Sequence, residues 1–298
     1  MDPSIDLRHL RYFVAVAEEL HFGRAARRLH MAQPPLSQQI RKLESMIGAQ
    51  LFHRTSRAVS LTPAGQAFFE RARILLSQLQ ADVEEAAGIG RGLRGRLDLG
   101  YVTSATLLGM PAHLKTFREQ NSGVTIRLHE NFTSRTAAAL LDEAIDVGIV
   151  RDAEPLPGIV STTIATENFL AVVPADHPLA RRTSLRGEDL RGEPFVLYPR
   201  SAGERAFTRN LQPLLELGVT PTIAQESSNW TSILYLVGAG LGMTVAPESA
   251  TIFAPPSTRV IPLEGTAVSE IQLLRRGDDD RALVHNFCSL ITGDHSKA

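Results

Sequence analysis

Apolar residues recur with the spacing of one helix face in two neighbouring stretches close to the N-terminus. Steps of three and four residues connect Phe22, Ala25, Ala26 and Leu29, and again Leu36, Ile40, Leu43 and Ile47. Only residues 30–33 separate the two stretches, which leaves room for a tight turn and nothing longer. The pattern therefore predicts two short helices joined as a helix-turn-helix unit.

The outer face of the second helix carries side chains that can contact DNA. Gln33, Ser37 and Arg41 are spaced four residues apart and share one face, which no acid interrupts before Glu44. Amides, hydroxyls and guanidinium groups bond to base edges or to phosphates. An ordinary solvated amphipathic helix would also show a polar face. A small basic two-helix unit with an amide-rich surface nevertheless favours insertion into the major groove.

A long helix is predicted after this unit. Asp6 can cap a first, supporting helix, and Thr62 followed by Pro63 is a typical start for the long one. Apolar steps of three and four residues then form a seam of about two and a half heptads, at Phe68, Ala72, Leu75, Leu79, Asp82 or Val83, and Ala86. The seam predicts a partner helix from a second chain, with packing on the chain's own body as the alternative. A run of glycines at Gly88, Gly90, Gly92 and Gly95 is expected to end the helix and form a hinge.

Short apolar runs alternate with helical stretches from residue 97 onward. Strands are expected at 97–102, 124–130, 147–150, 169–173, 195–198, 222–224, 243–246 and 271–274. Helices are expected at 106–119, 133–145, 204–217, 230–239 and 279–291. This βαβαβ order predicts parallel sheets in two α/β lobes, the last strand and helix returning to the first lobe.

Composition describes an ordinary globular protein with a basic N-terminal end. The 298 residues are 43% hydrophobic and 21% charged, with a net charge of −1. Residues 1–63 hold nine Lys and Arg against five Asp and Glu, whereas the rest of the chain holds 22 against 27. One cysteine, Cys288, excludes an internal disulfide, and no secretory signal or membrane-spanning run is visible. We expect a cytoplasmic protein that holds DNA at one end.

Residues 6–65 resemble the winged helix-turn-helix of the LysR-type transcriptional regulators. The family's landmarks stand in order at Ala25-Ala26, Leu29, Gln33-Pro34, Ser37, Ile40, Leu43-Glu44, Gly48, Leu51-Phe52, Arg54, Arg57, Leu61-Thr62 and Ala64-Gly65. One departure is Ala32, where the family usually has a Ser or Thr cap; its loss should cost about 1 kcal/mol of helix stability. Pro34 and Pro35 in the first turn offset part of that cost.

The resemblance implies how the N-terminal residues meet DNA. Base contacts are expected from Gln33, Pro34, Pro35, Ser37 and Gln38. Phosphate or minor-groove contacts are expected from Arg41 and Lys42 and from a two-stranded wing that carries His53, Arg54 and Arg57. A plain surface hairpin is the alternative for the wing. Dimers would bind half-sites spaced by whole helical turns, ~10 bp or multiples.

The C-terminal part resembles the two-lobed, periplasmic-binding-protein-like effector domain of the same family. Two further landmarks support this: DHPLA at residues 176–180 and GAGLGMTVAP at residues 238–247. The implied fold class is α/β multidomain: a DNA-binding domain (1–63), a linker and dimerisation helix with its hinge (64–92), and an effector domain (93–298). Lobe I would comprise 93–165 and 265–298, and lobe II 166–264. The resemblance also implies a dimer of dimers, hence a tetramer, and RNA polymerase as a further partner.

A ligand cleft is expected where strands end and helices begin, because helix N-termini favour anions there. Hydroxyls and arginines follow three predicted strands, at Thr103, Ser104, Asn131, Thr133, Ser134, Arg200, Ser201 and Arg205, with Phe207 one turn later. Singly, such Ser and Thr residues are usually helix caps. Similar regulators of aromatic catabolism bind small carboxylates at hydroxyls that correspond to Ser104 and Thr133. The predicted effector-binding residues are Thr103, Ser104, Thr133, Arg200, Ser201 and Phe207, and the predicted effector is an anion, with an aromatic carboxylate as the favoured class.

Motifs for catalysis or for a cofactor are not found. The sequence has no G-x-S-x-G, H-E-x-x-H, C-x-x-C or P-loop, and its histidines are scattered. The acidic run at residues 278–280 is interpreted as a helix cap and dipole partner instead of a metal site. We expect that the protein is not an enzyme and that it binds neither a cofactor nor a metal ion. Two alternative functions fit only part of the sequence: a solute-binding protein, which would lack the DNA-binding unit, and an architectural DNA-binding protein, which would not need two lobes.

Overall fold

The structure is a computed structural model that describes residues 5–55, 58–200, 204–265 and 267–293. The chain forms two compact units, Met1–Ala87 and Gly88–Ala298. None of the helices in the described ranges combines the length and apolarity needed to span a bilayer.

The N-terminal unit contains three short helices, a hairpin and most of a long helix. These are α1 (Leu7–Glu19), α2 (Phe22–Arg28), α3 (Gln33–Ile47), β1 (Phe52–Arg54), β2 (Val59–Leu61) and α4 (Pro63–Gly90). Phe13 is fully buried at the centre, with its ring 5.3 Å from that of Phe52 and 5.0 Å from that of Phe68. Aromatic burial of this kind supplies much of the stability of so small a core.

The predicted helix starts of the N-terminal unit are found in the structure. The Asp6 carboxylate accepts from the backbone N–H groups of Arg8 and His9 and so caps α1. Ala32 precedes α3 without any side-chain cap, and proline occupies the first turn of that helix. The Thr62 hydroxyl accepts from Gly65 N–H at 2.9 Å and opens α4.

Helix α4 extends further into the glycine run than the sequence predicted. Gly88 and Gly90 lie within the helix, and the turn follows at Gly92, where φ is +70°. A β-carbon on Gly92 would lie 2.4 Å from the backbone nitrogen of Leu283, so only glycine fits this turn. Four large apolar side chains of α4 are 55–60% exposed, namely Ile74, Leu75, Val83 and Ile89.

The C-terminal unit is built on a seven-stranded mixed sheet with a smaller parallel pair. The strands are β3 (Arg94–Tyr101), β4 (Gly123–Glu130), β5 (Val147–Arg151), β6 (Ile159–Pro174), β7 (Pro194–Leu197), β8 (Thr222–Glu226), β9 (Thr244–Pro247), β10 (Thr258–Pro262) and β11 (Val268–Arg276). The sheet order is β10-β6-β11-β5-β3-β4, with β9 also paired to β6, while β7 pairs with β8. A bridge between Phe195 and Met243 connects β7 to the chain just before β9.

Strand β6 joins the two lobes. Its first half, from Ile159 to Asn168, pairs with β11 of lobe I, and its second half, from Phe169 to Pro174, pairs with β9 and β10 of lobe II. The sequence predicted only residues 169–173 as strand and missed β10 entirely. The missed half of β6 is a polar, mostly exposed segment, so it lacks the apolar signal of a buried strand.

In the described part of this unit, six helices accompany the sheets: α5 (Met110–Gln120), α6 (Thr133–Leu141), α7 (Gly187–Leu190), α8 (Glu204–Glu216), α9 (Trp230–Gly238) and α10 (Ala282–Thr292). The helix predicted at 106–119 is interrupted, because Gly109 has φ of +90° between a 3-10 turn (Thr103–Leu107) and α5. The prediction that α6 runs to residue 145 was wrong, since Glu143 adopts φ of +57°. The last helix begins at Ala282 and not at residue 279.

The parallel ladder of lobe I places three loops at one edge. Strand β3 pairs in parallel with β4, so Tyr101 lies opposite Glu130, and with β5, so Tyr101 also lies opposite Ile149. The residues that follow these strands therefore emerge side by side. This is the edge at which ligands bind in open α/β sheets.

Candidate functional site

The polar face of α3 is open to solvent. Leu36, Ile40 and Leu43 are fully buried, while the predicted base-reading and phosphate-binding residues of the helix lie on the opposite side. Gln33, Pro34, Pro35, Gln38, Arg41 and Lys42 are exposed, and Ser37 is half-buried. No hydrogen bond or ion pair to Arg41 or Lys42 occurs among the residues that the structure describes. This face can therefore meet DNA without first breaking internal contacts.

The wing is the short hairpin of β1 and β2. His53 is paired with Ser60 in the hairpin and is exposed, as a groove or backbone contact requires. Arg54 differs from Arg41 and Lys42, because its guanidinium is bound to the carboxylate of Glu44 at 2.5 Å. Arg57, which was predicted to contact DNA from the wing, lies outside the described residues.

A cavity of about 840 Å³ lies at the carboxyl edge of the lobe I sheet, between the two lobes. It is lined by three of the predicted effector-binding residues, Thr103, Ser104 and Thr133. Arg200 and Phe207 do not line it; the Arg200 guanidinium carbon lies 4.8 Å above the ring of Phe207, which is only 8% exposed. Ser201 lies outside the described residues.

Arg151 organises the floor of this cavity. Its guanidinium donates to Ser104 at 3.2 Å, to Ser269 at 2.6 Å and to Glu167 at 2.7 Å. It also donates to Ser249 of lobe II at 3.3 Å, and Glu167 in turn accepts from the Ser249 backbone at 2.8 Å. The Arg151 and Glu167 side chains are only 12% and 8% exposed, so the charge of each compensates that of the other. The Arg151 guanidinium therefore offers little uncompensated positive charge to a ligand.

The beginning of α6 offers unsatisfied hydrogen-bond donors. Phe132 occupies the cap position and provides no side-chain bond. The backbone N–H groups of Thr133, Ser134 and Arg135 meet no acceptor within the described residues. The Thr133 hydroxyl is already engaged, since it donates to the Arg151 carbonyl at 2.8 Å. Anion binding here would therefore use the backbone of the first turn and the helix dipole, with Ser104 beside them.

Aromatic and apolar side chains form the remaining walls. The ring centroids of Tyr198 and Trp230 are 5.2 Å apart, and Phe132, Leu141 and Phe253 are partly exposed at the cavity. Burial raises the pKa of the Tyr198 phenol to about 12, so it stays a neutral donor at physiological pH. An apolar site with a few convergent polar groups is the usual form of a small-molecule pocket.

Sequence reasoning missed Arg151, Tyr198, Trp230 and Phe253 as site residues. Arg151 ends a strand and Tyr198 follows one, so a stricter use of the strand-end rule would have found both. Trp230 and Phe253 come from lobe II and meet lobe I only through the fold.

Among the described residues, no group of three or more His, Cys, Asp or Glu side chains is placed to hold a metal ion. Burial raises the pKa of the Cys288 thiol to about 11, which keeps it protonated and unreactive. Asp279 of the acidic run accepts from the Arg281 backbone at 3.2 Å and pairs with Arg276 and Arg281, as a structural group would.

Two family models match the chain. Residues 7–66 match the bacterial regulatory helix-turn-helix protein of the lysR family, and residues 90–294 match the LysR substrate binding domain. The transcriptional regulator AlsR of Bacillus subtilis (strain 168) is 40% identical over 246 residues, which cover 83% of this chain and 82% of AlsR. The uncharacterised regulator YnfL of Escherichia coli (strain K12) is 38% identical over 273 residues, covering 91% and 92%.

A solved structure is similar over nearly the full length of the chain. Full-length CbnR in complex with its target DNA superposes with a TM-score of 0.79 at 27% identity. The match covers 96% of this chain and 98% of CbnR.

Proposed function

Because the chain belongs to the LysR family of bacterial transcriptional regulators, we propose how it recognises DNA and which class of molecule controls it. It is a DNA-binding regulator with a ligand-binding effector domain. It acts as a homo-oligomer on double-stranded DNA in the cytoplasm, with RNA polymerase as a further partner, and it catalyses no reaction. We propose the domain limits that the sequence suggests: 1–63 for DNA binding, 64–92 for the linker helix and hinge, and 93–298 for the effector domain.

Helix α3 enters the major groove. The support is its polar face, on which Gln33, Pro34, Pro35, Gln38, Arg41 and Lys42 are solvent-exposed and Ser37 is half-buried. Gln33, Ser37 and Gln38 bond to base edges, with the two prolines packed beside them, while Arg41 and Lys42 hold phosphates. His53 and Arg57 of the wing meet the DNA backbone or the minor groove.

The effector is a small organic anion with an aromatic ring. The observation that carries this proposal is the combination, in one cavity, of free N–H groups at the start of α6, the Ser104 hydroxyl and an aromatic wall. A carboxylate at the helix start would accept two or more hydrogen bonds, and the ring would pack against Trp230 and Phe253. Neutral ligands gain nothing from the helix dipole, and a second carboxylate would find Arg151 already paired with Glu167.

Calorimetric titration with benzoate and salicylate, each beside its neutral amide, tests this proposal. We expect the acids to bind and benzamide to bind at least about tenfold more weakly, because a charge-assisted hydrogen bond contributes about 1.5–3 kcal/mol. Ser104→Ala should raise the dissociation constant of the bound acid by about tenfold or more for the same reason.

Thr106→Ala is the matched control. It removes a hydroxyl from the same turn, but Thr106 donates to the Thr103 carbonyl and does not line the cavity. Equal binding of acid and amide would count against an anionic effector. Unchanged affinity in Ser104→Ala would remove that hydroxyl from the site.

A further inference from the structure

The side chain of Arg54 makes contacts within the N-terminal unit that its position in the sequence does not predict. It is the last residue of β1, where an arginine of a wing would be expected to reach a phosphate. Its side chain is instead 30% exposed and bound at 2.5 Å to Glu44, whose side chain is 12% exposed. The guanidinium also lies over the ring of Phe22, 5.0 Å from its centroid.

Glu44 connects two parts of the DNA-binding unit. It belongs to α3, and its second carboxylate oxygen accepts from the backbone N–H groups of Leu51 at 3.0 Å and Phe52 at 3.2 Å. Both oxygens of this carboxylate therefore hold the strand that begins the wing. Charge-assisted hydrogen bonds in a partly buried setting are among the stronger polar contacts in proteins.

Phe22 connects a third element, helix α2, to the wing. It opens α2, is 8% exposed, and meets the ring of Phe52 at 5.9 Å. Stacking of Arg54 on Phe22 is a cation–π contact, which adds to the ion pair. One arginine thus touches the first residue of α2 and the recognition helix α3 while it belongs to the wing.

A phosphate would have to compete with these contacts. If Arg54 turned toward DNA, it would leave the Glu44 carboxylate without its cation and the Phe22 face uncovered. If it stays in place, Arg54 and Glu44 form a pair without net charge, and such a pair displaces no counterion from DNA. Arg41 and Lys42 differ, because neither has a hydrogen-bond or ion-pair partner among the described residues.

We propose that Arg54 is a positioning residue: it fixes the wing against the recognition helix through Glu44 and does not itself neutralise a phosphate. The inference rests on DNA binding by this unit and is independent of the effector. It gives the two arginines of the wing region different roles: Arg54 holds the hairpin, and Arg57 meets DNA.

The test measures DNA affinity of the full-length protein over a range of salt concentrations. The probe is a duplex selected by the wild-type protein from a random library. Lys42→Ala serves as the control for a phosphate contact and should reduce the log–log salt slope by about 0.9. Arg54→Ala should leave the slope unchanged and weaken binding by a constant factor, about tenfold, at every salt concentration.

Glu44→Gln provides the sharper variant. The amide oxygen can still accept from Leu51 and Phe52, so the fold is kept, but the cation of Arg54 loses its partner. Binding should weaken by a factor similar to that of Arg54→Ala although a negative charge has been removed. The double variant should be no weaker than Arg54→Ala alone, since both changes break one contact.

Footprinting distinguishes positioning from general unfolding. Hydroxyl-radical protection at the sugars next to the wing should be lost in Arg54→Ala and in Glu44→Gln, while methylation protection of major-groove guanines persists. The proposal is overturned if Arg54→Ala reduces the salt slope by about 0.9, if Glu44→Gln tightens binding, or if both kinds of protection weaken equally.

Discussion

A group of charged residues in lobe I shows how single side chains hold the C-terminal unit together. Asp279, whose side chain is 3% exposed, binds Arg276 at 3.0 Å and Arg281 at 2.5 Å. Arg281 reaches Asp146 at 2.5 Å, and Asp146 accepts from the backbone of Asp98 at 2.8 Å. Hydrogen bonds from Arg281 hold the pKa of the Asp279 carboxyl below its ordinary value. The start of α10 is thereby tied to the sheet by ionic contacts.

The lowered pKa of Asp279 predicts a loss of stability in acid. A depressed pKa means that the unfolded state binds the proton more readily than the folded state does. The stabilisation that the Asp279 carboxylate provides is therefore present above the ordinary Asp pKa, about 3.9, and is lost as the pH falls from there through the lowered pKa of the folded state. Asp279→Asn should therefore lower the unfolding free energy at neutral pH. Between about pH 5 and about pH 3, the unfolding free energy of the variant should fall less than that of the wild type. Urea denaturation at each pH measures this.

Asp280→Asn is the control for that measurement, because this neighbouring carboxyl is exposed. It should keep the acid sensitivity of the wild type. An Asp279→Asn protein with the same acid loss as the wild type would show that another carboxylate is responsible.

Helix α4 buries one part of its apolar surface within the N-terminal unit and leaves another part exposed. Its first half packs into the N-terminal core through Ala72, with Phe68, Phe69 and Leu76 partly buried beside it. Its outer apolar residues, Ile74, Leu75 and Val83, remain 55–60% exposed in the single chain. Leu75 and Val83 belong to the predicted seam, and an exposed apolar seam on a long helix is typical of a surface that pairs with another helix.

Leu75→Glu is expected to weaken self-association. Burial of one Leu contributes about 1.5–3 kcal/mol, so the dissociation constant of the oligomer should rise by about ten- to a hundredfold. Ser77→Glu places the same charge on an exposed position of a different face and should change little. Sedimentation velocity over a concentration series reports both. Equal weakening by the two variants would argue that net charge and not the seam controls assembly.

At the scale of the whole molecule, charge and binding are divided along the chain. The basic residues 1–63 and the acidic remainder suit one DNA-binding end and one end that senses a small molecule. Regulation requires that the effector change the DNA affinity, and linkage requires DNA to change the effector affinity by the same factor. Couplings of this kind are typically about 1–3 kcal/mol.

A bound effector should raise the stability of the full chain by a calculable amount. At a concentration of 100 times its dissociation constant, an acid that binds only the folded state adds about 2.7 kcal/mol. Thermal-shift measurements over a ligand series test this, with Ser104→Ala requiring more ligand for the same shift. A shift that saturates far below the calculated value would indicate binding to the unfolded chain as well.

The elements of this protein were largely predictable where local pattern is strong. The three N-terminal helices and the caps at Asp6 and Thr62 follow from spacing and side-chain chemistry alone. The first half of β6 and the whole of β10 were missed, because their residues owe their strand conformation to pairing partners far along the chain.

The sequence by itself determined the helix-turn-helix, the α/β alternation and the strand ends that Ser104 and Thr133 follow, because these depend on neighbouring residues. Only the tertiary structure decided that the Thr133 hydroxyl donates to the Arg151 carbonyl, that the Arg151 charge is neutralised by Glu167, and that Arg54 is bound to Glu44. The physical reason is that a charge is available to a ligand or to DNA only if no partner within the fold compensates it. Such partners are brought near by folding from positions that no local pattern connects.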